Sequence, residues 1–230
     1  MLKRIFFTTL FLACICLICI PAEMAISGVA SPLAGQFVVV DPGHGGYDPG
    51  AVRGGVLEKE INLQIALKLK KYLEETGARV ILTRCGDYNL AVAGLHKREA
   101  HRYDLSKRLE MMRQSNACLF VSIHANCMYS RTSGGPEVFY HQQSEDGKML
   151  AECIQEELRS IPGVRKRLCK TSNYYVLHNA GKPAVLVEVG FISNPSERKR
   201  LTGDEYQNLL CQRISWGIMK FRVLQQLESR

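Results

Sequence analysis

The chain has 230 residues, of which 46% are hydrophobic and 23% charged. This composition excludes a disordered or fibrous protein and is sufficient for one globular domain with a core. The formal net charge of +8 suits an anionic partner such as a wall polymer, a phosphate backbone or a lipid surface, but we favour a solvated basic surface over a specific anion site. No nucleic-acid-binding motif accompanies the charge, so we expect no nucleic-acid partner.

The first element in the chain is an export segment. Lys3 and Arg4 precede an apolar run over residues 5–20, and Pro21 ends it. The length of the run leaves two outcomes open, a cleaved signal peptide or a retained membrane anchor, and a buried helix of the domain is the structural alternative. We expect residues 1–30 to be the signal or anchor, residues 31–230 to be the folded domain, and the protein to be exported.

Strand and helix patterns alternate through the rest of the chain. A strand over residues 37–40 is followed by a helix over residues 58–75, whose apolar residues recur every four positions and which Gly77 ends. We then predict, in chain order, a strand at 79–83, a helix at 105–114, strands at 118–124 and 137–140, a helix at 149–161, strands at 174–177 and 184–189, and a helix at 205–227. Apolar strands separated by amphipathic helices indicate an α/β fold, a mostly parallel central sheet with helices on both faces.

Nine cysteines are present, but three of them lie in the export segment. The other six show no C-x-x-C spacing, which argues against a cysteine zinc site. Disulfides are allowed in an exported domain of this size but not required, and the sequence does not indicate a pairing.

Two histidines follow predicted strands directly. His44 lies in a glycine-rich loop after the first strand, and His124 ends the strand at 118–124. Ligands of parallel sheets bind beyond the carboxyl ends of the strands, so both histidines are expected to face one crevice. Glu58, at the start of the helix that follows the same loop, is a third candidate.

Glu188 is an acid within the apolar stretch "AVLVEVGF". Burying it is costly unless a metal, a cation or a proton-transfer role keeps it there, and Arg84 is the structural alternative as a partner. Two histidines and a glutamate around an open coordination position, with another carboxylate nearby, match a catalytic zinc site. On spacing alone, unrelated surface and core acids remain an equal alternative.

Five segments occur in a fixed order: "VVVDPGHGGYDPGA", "LEKEINLQIALKL", "VILTR", "LFVSIHAN" and "PAVLVEVGFISNPSE". Together they resemble the zinc-dependent N-acetylmuramoyl-L-alanine amidases of the amidase-3 type, from about Phe37 to the C-terminus. The resemblance implies that residues 31–230 are the catalytic domain, with His44, Glu58 and His124 as zinc ligands and Glu188 as the catalytic glutamate. It also implies a peptidoglycan substrate.

The remaining polar candidates fall outside that ligand set. Arg108 matches an arginine usual in the family, and we interpret it as structural. Asp41 is expected to fix the loop around His44, whereas Glu60 should point elsewhere on its helix. Asn126 is expected to stabilise its loop or to contact substrate. The histidines that match no ligand position are His96, His101, His141 and His178.

Within the family, the chain resembles most the CwlD-type sporulation amidases. The shared features are an apolar N-terminal segment directly before the domain, no wall-binding module, and a long polar stretch between Arg84 and Leu105. This likeness implies a role in forming muramic-δ-lactam in spore cortex, with a downstream deacetylase and an accessory protein as pathway partners. The expected location is the outer face of the cytoplasmic membrane, the cell wall or the spore cortex space. The alternatives are another zinc peptidoglycan hydrolase, such as a carboxypeptidase, and a non-catalytic wall-binding protein.

Overall fold

Strands and helices alternate along the part of the chain that the computed structural model describes, residues 31–228. The strands are β1 (Phe37–Pro42), β2 (Val52–Arg53), β3 (Val56–Leu57), β4 (Arg79–Leu82), β5 (Leu119–Asn126), β6 (Glu137–Tyr140), β7 (Lys170–Thr171) and β8 (Ala184–Phe191). The helices are α1 (Glu58–Glu75), α2 (Lys97–Gln114), α3 (Glu145–Arg159), α4 (Tyr175–His178), α5 (Pro195–Leu201) and α6 (Asp204–Glu228). The export segment predicted at residues 1–30 lies outside the described residues, so it stays a prediction.

A six-stranded sheet organises these elements in the order β4-β1-β5-β8-β6-β7. The pairs β1–β4, β1–β5, β5–β8 and β6–β7 are parallel, and only β6–β8 is antiparallel. Strands β2 and β3 form a separate small hairpin. The prediction of a mostly parallel central sheet is therefore confirmed, with one antiparallel pair that the sequence did not reveal.

Alternate residues of the central strands enter two separate apolar cores. Val38 and Val40 belong to a core that contains residues of α1, α3 and α6, whereas Val39 belongs to a core with residues of α2 and α4. Because successive side chains of a strand point to opposite faces, these two cores lie on opposite faces of the sheet. Helices cover both faces, as the alternation of apolar strands and amphipathic helices predicted.

Helix α1 has the bounds that its periodicity predicts. Ile61, Ile65, Leu69 and Leu73 are all buried along one face. The helix ends where Gly77 adopts a φ of +85°, a conformation that suits glycine because it has no Cβ. This helix matters for the site because its first residue is Glu58.

Helix α2 begins at Lys97 and not near Leu105. The predicted start of this helix is therefore wrong, because the preceding polar stretch already forms its first turns. The buried face of its first turns consists of Ala100, Asp104 and Arg108. Two of these three residues are charged, so the apolar periodicity that identifies a helix is missing there.

The strand predicted at residues 174–177 is also wrong, because that segment forms the single helical turn α4. Short apolar runs do not distinguish a strand from a buried helical turn. The sequence also missed α5 and the β2–β3 hairpin. The six cysteines of the described residues are all free thiols. Within residues 31–228, every helix is too short or too polar to cross a membrane.

Candidate functional site

His44 lies in the loop that leaves the carboxyl end of β1. Its backbone has a φ of +63°, in the left-handed region that non-glycine residues rarely adopt and that recurs at functional sites. The imidazole Nδ1 lies 2.8 Å from Asp48 Oδ2, and Nε2 lies 3.1 Å from Glu58 Oε1. Asp48 therefore holds one edge of the ring and turns the other edge toward Glu58.

Glu58 connects the two histidines. Its Oε1 lies 3.1 Å from His44 Nε2 and 3.1 Å from His124 Nδ1, and its Oε2 accepts a hydrogen bond of 2.8 Å from the Ala51 backbone N–H. One turn along α1, the Asn62 side-chain amide donates to Oε1 at 3.4 Å. One donor atom from each of His44, Glu58 and His124 lies within 4.8 Å of the others, so these residues could hold a metal ion.

Glycines make room for these side chains. A Cβ on Gly43 would overlap the ring of His124, and a Cβ on Gly50 would overlap both the Glu58 carboxylate and the ring of His44. Gly50 also has a φ of +63°. The glycines of the "DPGHGGYDPG" loop therefore let the backbone approach the histidines and Glu58 closely.

Charges within this cluster reinforce one another. Burial alone lowers the pKa of His44, but hydrogen bonds and charges from Asp48 and Glu58 outweigh it and raise the pKa to about 9. Burial raises the pKa of Glu58, whereas His124 and His44 together bring it well below its usual range. The hydrogen bond from His44 lowers the pKa of Asp48 to about 2. The cluster thus favours an ionised carboxylate beside the histidines.

Arg108 ties α2 to the loop of His44. It forms ion pairs with Asp41 at 2.7 Å and with Asp104 at 2.8 Å, and it donates to the carbonyls of Pro42 and His44, both at 2.8 Å. Arg108 and Asp41 are each only 1% exposed. The structural roles predicted for both residues are confirmed.

Glu188 lies in β8, directly across the parallel pair from His124. The side chain is buried, and its Oε2 has no hydrogen-bond partner among residues 31–228. Burial and the charge of Glu58 raise the pKa of Glu188 to about 8. The alternative that Arg84 pairs with Glu188 is wrong, because the Arg84 guanidinium donates to the carbonyls of Pro42, Gly43, Lys59 and Gly86.

These groups line one cavity of about 380 Å³ at the carboxyl edge of the sheet. His44, Glu58, His124 and Glu188 all contribute to its wall, so the structure brings together the four candidates that the sequence singled out. Further lining residues come from α2, β5 and the start of α4, and they include His101, Asn126, Tyr174 and Val176. Asn126, left open as a loop or substrate residue, therefore faces the cavity.

Sequence reasoning missed Asp48 and Asn62. Each lies four residues after a candidate, Asp48 after His44 and Asn62 after Glu58. On a helix that spacing places Asn62 beside Glu58, a signal that could have identified it. Asp48 lies within an irregular loop, where sequence spacing does not indicate the direction of a side chain.

The acids and histidines outside the predicted ligand set do not belong to the cluster of His44, Glu58 and His124. Glu60 is exposed, as expected. His101 Nδ1 lies 4.0 Å from Asp48, at the edge of the cluster. His141 Nε2 and His178 Nδ1 lie 3.0 Å apart in a second cavity, and His96 precedes α2.

Comparison with known protein families identifies the family of this chain. The amidase-3 family model, described as N-acetylmuramoyl-L-alanine amidase, matches residues 38–220. The chain belongs to the amidase-3 family. As a family member, it is an enzyme that hydrolyses the amide between N-acetylmuramic acid and L-alanine in peptidoglycan. This bond distinguishes it from the carboxypeptidase considered above.

Several amidase-3 relatives resemble the chain over most of its length. The germination-specific N-acetylmuramoyl-L-alanine amidase of Bacillus subtilis is 38% identical over 194 residues, which cover 83% of this chain and 81% of that protein. The structure of the CwlD amidase from Clostridioides difficile, in complex with the GerS lipoprotein, superposes with a TM-score of 0.79 at 38% identity and covers 83% of this chain and 100% of that one. The amidase AmiC2 of Nostoc punctiforme gives a TM-score of 0.71 at 35% identity, over 84% and 99% of the two chains. The chain is thus an amidase-3 enzyme similar to CwlD.

Proposed function

We propose that this amidase is zinc-dependent and acts on spore cortex, with His44, Glu58 and His124 as zinc ligands and Glu188 as the proton-transferring residue. The observation that carries the proposal is the convergence of three donor atoms within 4.8 Å beside a buried carboxylate oxygen that has no hydrogen-bond partner in the described part of the chain. These roles assign the steps of the family's reaction to particular residues of this chain.

The donor set fits zinc. Two imidazole nitrogens and a carboxylate oxygen form one of the ligand sets that catalytic zinc sites use, with a fourth position left for water or substrate. A zinc-binding histidine commonly donates its other ring N–H to a carboxylate, as His44 does to Asp48. The chemistry that zinc supplies when bound is Lewis acidity, which polarises a carbonyl and makes water more acidic.

Glu188 would move the proton of the reaction. Its buried carboxylate oxygen Oε2 has acceptor capacity that no group among residues 31–228 uses. Glu188 would have a lower pKa and keep its carboxylate ionised when a divalent cation is bound to the neighbouring ligands. It would then accept a proton from the attacking water and pass it to the departing alanine nitrogen. The amide bond breaks as the water oxygen bonds to the lactyl carbonyl carbon, and no covalent intermediate with the protein is needed.

The cortex assignment rests on the similarity to a germination-specific amidase and to CwlD. Removing the peptide leaves a free lactyl carboxylate on muramic acid. A separate deacetylase would then expose the sugar amine, and closure between the two groups would give muramic-δ-lactam. Because the similar CwlD amidase forms a complex with a lipoprotein, we also propose an accessory protein for this enzyme.

The same relatives and the N-terminal apolar run support an exported location. Germination and cell-wall amidases act on a polymer outside the cytoplasm, and residues 5–20 have the character of a signal peptide or membrane anchor. We therefore propose that residues 31–230 work at the outer face of the cytoplasmic membrane, in the wall or in the cortex space.

Two measurements on purified chain test the proposal. Metal analysis should find one zinc per chain, and mass spectrometry of digested cortex peptidoglycan should find free stem peptides that begin with L-alanine. Single released amino acids, or no products at all, would contradict the amidase reaction. A deletion strain whose cortex keeps its normal muramic-δ-lactam content would refute the cortex role and leave the amidase reaction intact.

A further inference from the structure

A second cavity adjoins the catalytic one on the face of the sheet that carries α2 and α4. It measures about 550 Å³, and Tyr175 lines both cavities. The other residues around it come from the loop after β6, the loop after β7 and helix α4. We call it the β6 cavity, and its lining comprises His141, Gln142, Gln143, Asn173, His178 and Asn179.

Strand β6 connects the two cavities. Glu137, at one end of the strand, pairs in register with Glu188, and Tyr140, at the other end, pairs with Val185. His141 follows four residues after Glu137, so it lies about 13 Å from the level of Glu188 at the usual rise of a strand. A substrate polymer that extends from the scissile amide along β6 would therefore reach the β6 cavity within a few of its units.

Aromatic rings line the route between the cavities. Phe139, in the middle of β6, packs edge-to-face against Tyr174 with ring centroids 5.7 Å apart. Tyr174 is 42% exposed and lines the catalytic cavity, and the next residue, Tyr175, lines both cavities. A tyrosine in a cavity wall offers an apolar face and a polar hydroxyl at once, a combination that suits the faces and edges of sugar rings.

The lining of the β6 cavity is polar but carries no acidic or permanently charged side chain. Four side-chain amides surround the histidine pair, whose rings meet edge-to-face with His178 Nδ1 3.0 Å from His141 Nε2. One ring nitrogen of that contact must accept, so at least one imidazole is neutral. The outer ring nitrogens, His141 Nδ1 and His178 Nε2, have no hydrogen-bond partner among residues 31–228. Neutral donors and acceptors of this kind match hydroxyl and acetamido groups.

The peptide side of the substrate calls for a different lining. Stem peptides carry carboxylates, which cations recognise. Cations near the catalytic cavity include exposed Lys97, Arg98 and Arg102 of α2, which lie within one helical turn of His101, a residue of the cavity wall. The difference in charge between the α2 wall and the β6 cavity favours sugar in the latter.

We propose that the β6 cavity is a binding site for the glycan strand of peptidoglycan and holds N-acetylated sugars adjacent to the muramic acid under attack. The inference rests on the amidase function proposed above for the adjoining cavity. Side-chain amides and His178 bind hydroxyl and acetamido groups, and the tyrosines contact the ring faces. The enzyme would thereby select muramic acids within a polymer over single muropeptides.

The test compares the unchanged full-length chain with the double variant Gln142→Ala/His178→Ala, two exposed positions. Loss of two hydrogen-bonding groups should raise KM for polymeric peptidoglycan about tenfold and leave kcat unchanged. Hydrolysis of a muropeptide with one muramic acid and no further sugar should not change. His178→Gln, which keeps a donor and an acceptor, should restore part of the affinity in the presence of Gln142. Gln64→Ala, which removes an exposed amide from α1 on the opposite face, is the matched control and should behave as the unchanged chain.

A direct binding measurement separates this inference from the catalytic proposal. Calorimetry with a peptide-free tetrasaccharide of alternating N-acetylglucosamine and N-acetylmuramic acid should show binding to the unchanged chain and binding about tenfold weaker to the double variant. This result would support the sugar site even if the chain hydrolysed nothing. Undetectable tetrasaccharide binding, equal binding by both proteins, or an equal loss of activity on the single-sugar muropeptide would each overturn it.

Discussion

Glu188 and His124 are register partners on the neighbouring parallel strands β8 and β5. The two strands therefore present a proposed metal ligand and a proposed base side by side at the carboxyl edge of the sheet. Glu58 approaches the same point from the start of α1, with Oε1 3.1 Å from His124 Nδ1. Backbone pairing fixes the separation of the base from one ligand, which is the kind of rigid placement that proton transfer requires.

Glu188→Gln should separate metal binding from chemistry. The amide keeps the size of the side chain but cannot accept a proton at neutral pH, so zinc should stay bound while amide hydrolysis falls by about 10² to 10⁴. Zinc content and hydrolysis are measured on one preparation.

The matched control for this variant is Glu137→Gln, which changes the buried register neighbour of Glu188 on β6. Glu137 forms an ion pair with Lys170 at 2.7 Å. Loss of this ion pair should affect the free energy of unfolding more than the rate of amide hydrolysis. If zinc and activity disappeared together in Glu188→Gln, Glu188 would be a ligand, and full activity would mean that the base lies elsewhere.

The sequence predicted best where burial was apolar and periodic. Helix α1 has its predicted bounds because Ile61, Ile65, Leu69 and Leu73 repeat every four residues and all face the core. The first turns of α2 were missed because their buried side is Ala100, Asp104 and Arg108, so polar contacts and not apolar burial hold that helix in place.

The residues of the candidate site also divide into those that a local sequence pattern predicted and those that it missed. Strand ends and a costly buried acid pointed to His44, His124 and Glu188, because those signals depend on local pattern. Asp48 did not emerge, since its contact with His44 depends on the left-handed backbone of His44 and the turn that follows it. The β6 cavity was equally hidden, because it joins His141 to His178, 37 residues later in the chain.

His124→Ala should abolish stoichiometric zinc binding, because it removes one of three proposed donors and leaves only two. Metal analysis after dialysis measures the zinc content per chain. His101→Ala is the control within the same cavity wall, since His101 lies 4.0 Å from Asp48 and does not belong to the ligand cluster. Undiminished zinc in His124→Ala would refute the proposed ligand set.

Asp48→Asn should weaken zinc binding about 10- to 100-fold without removing a ligand. The carboxylate of Asp48 holds His44 Nδ1 at 2.8 Å and makes the ring a better donor, and an amide does this less well. Competition with a chromophoric chelator measures the affinity. Asp87→Asn changes an exposed acid that binds the neighbouring Gly46 N–H and Lys59, and it should leave the affinity unchanged. Equal affinities for all three proteins would mean that Asp48 only shapes the loop.

Asp41→Asn should lower stability in a pH-dependent way. Burial alone raises the pKa of Asp41, but Arg108 and the hydroxyls of Ser122 and Thr83 outweigh it and lower the pKa below the ordinary value of 3.8. A carboxyl with a depressed pKa stabilises the folded state fully above its unfolded pKa, and this stability is lost as the pH falls through the folded pKa. Above about pH 5 the variant leaves Arg108 with one buried partner fewer, and we expect a loss of roughly 3 kcal/mol in the free energy of unfolding.

Urea unfolding of the unchanged chain and of Asp41→Asn, at several pH values between neutral and strongly acidic, checks this expectation. The difference between the two free energies of unfolding should be largest near neutral pH and should shrink as the pH falls below about 4, because Asp41 of the unfolded chain then takes up a proton while Asp41 of the folded chain, with its depressed pKa, does not until the pH is lower. Glu110→Gln, which removes an exposed ion pair with Lys107 on the same helix as Arg108, should change the free energy of unfolding little at any pH. A difference for Asp41→Asn that stayed constant down to acidic pH would mean that its carboxyl stabilises the loop of His44 by shape and hydrogen bonding, with no contribution from its charge.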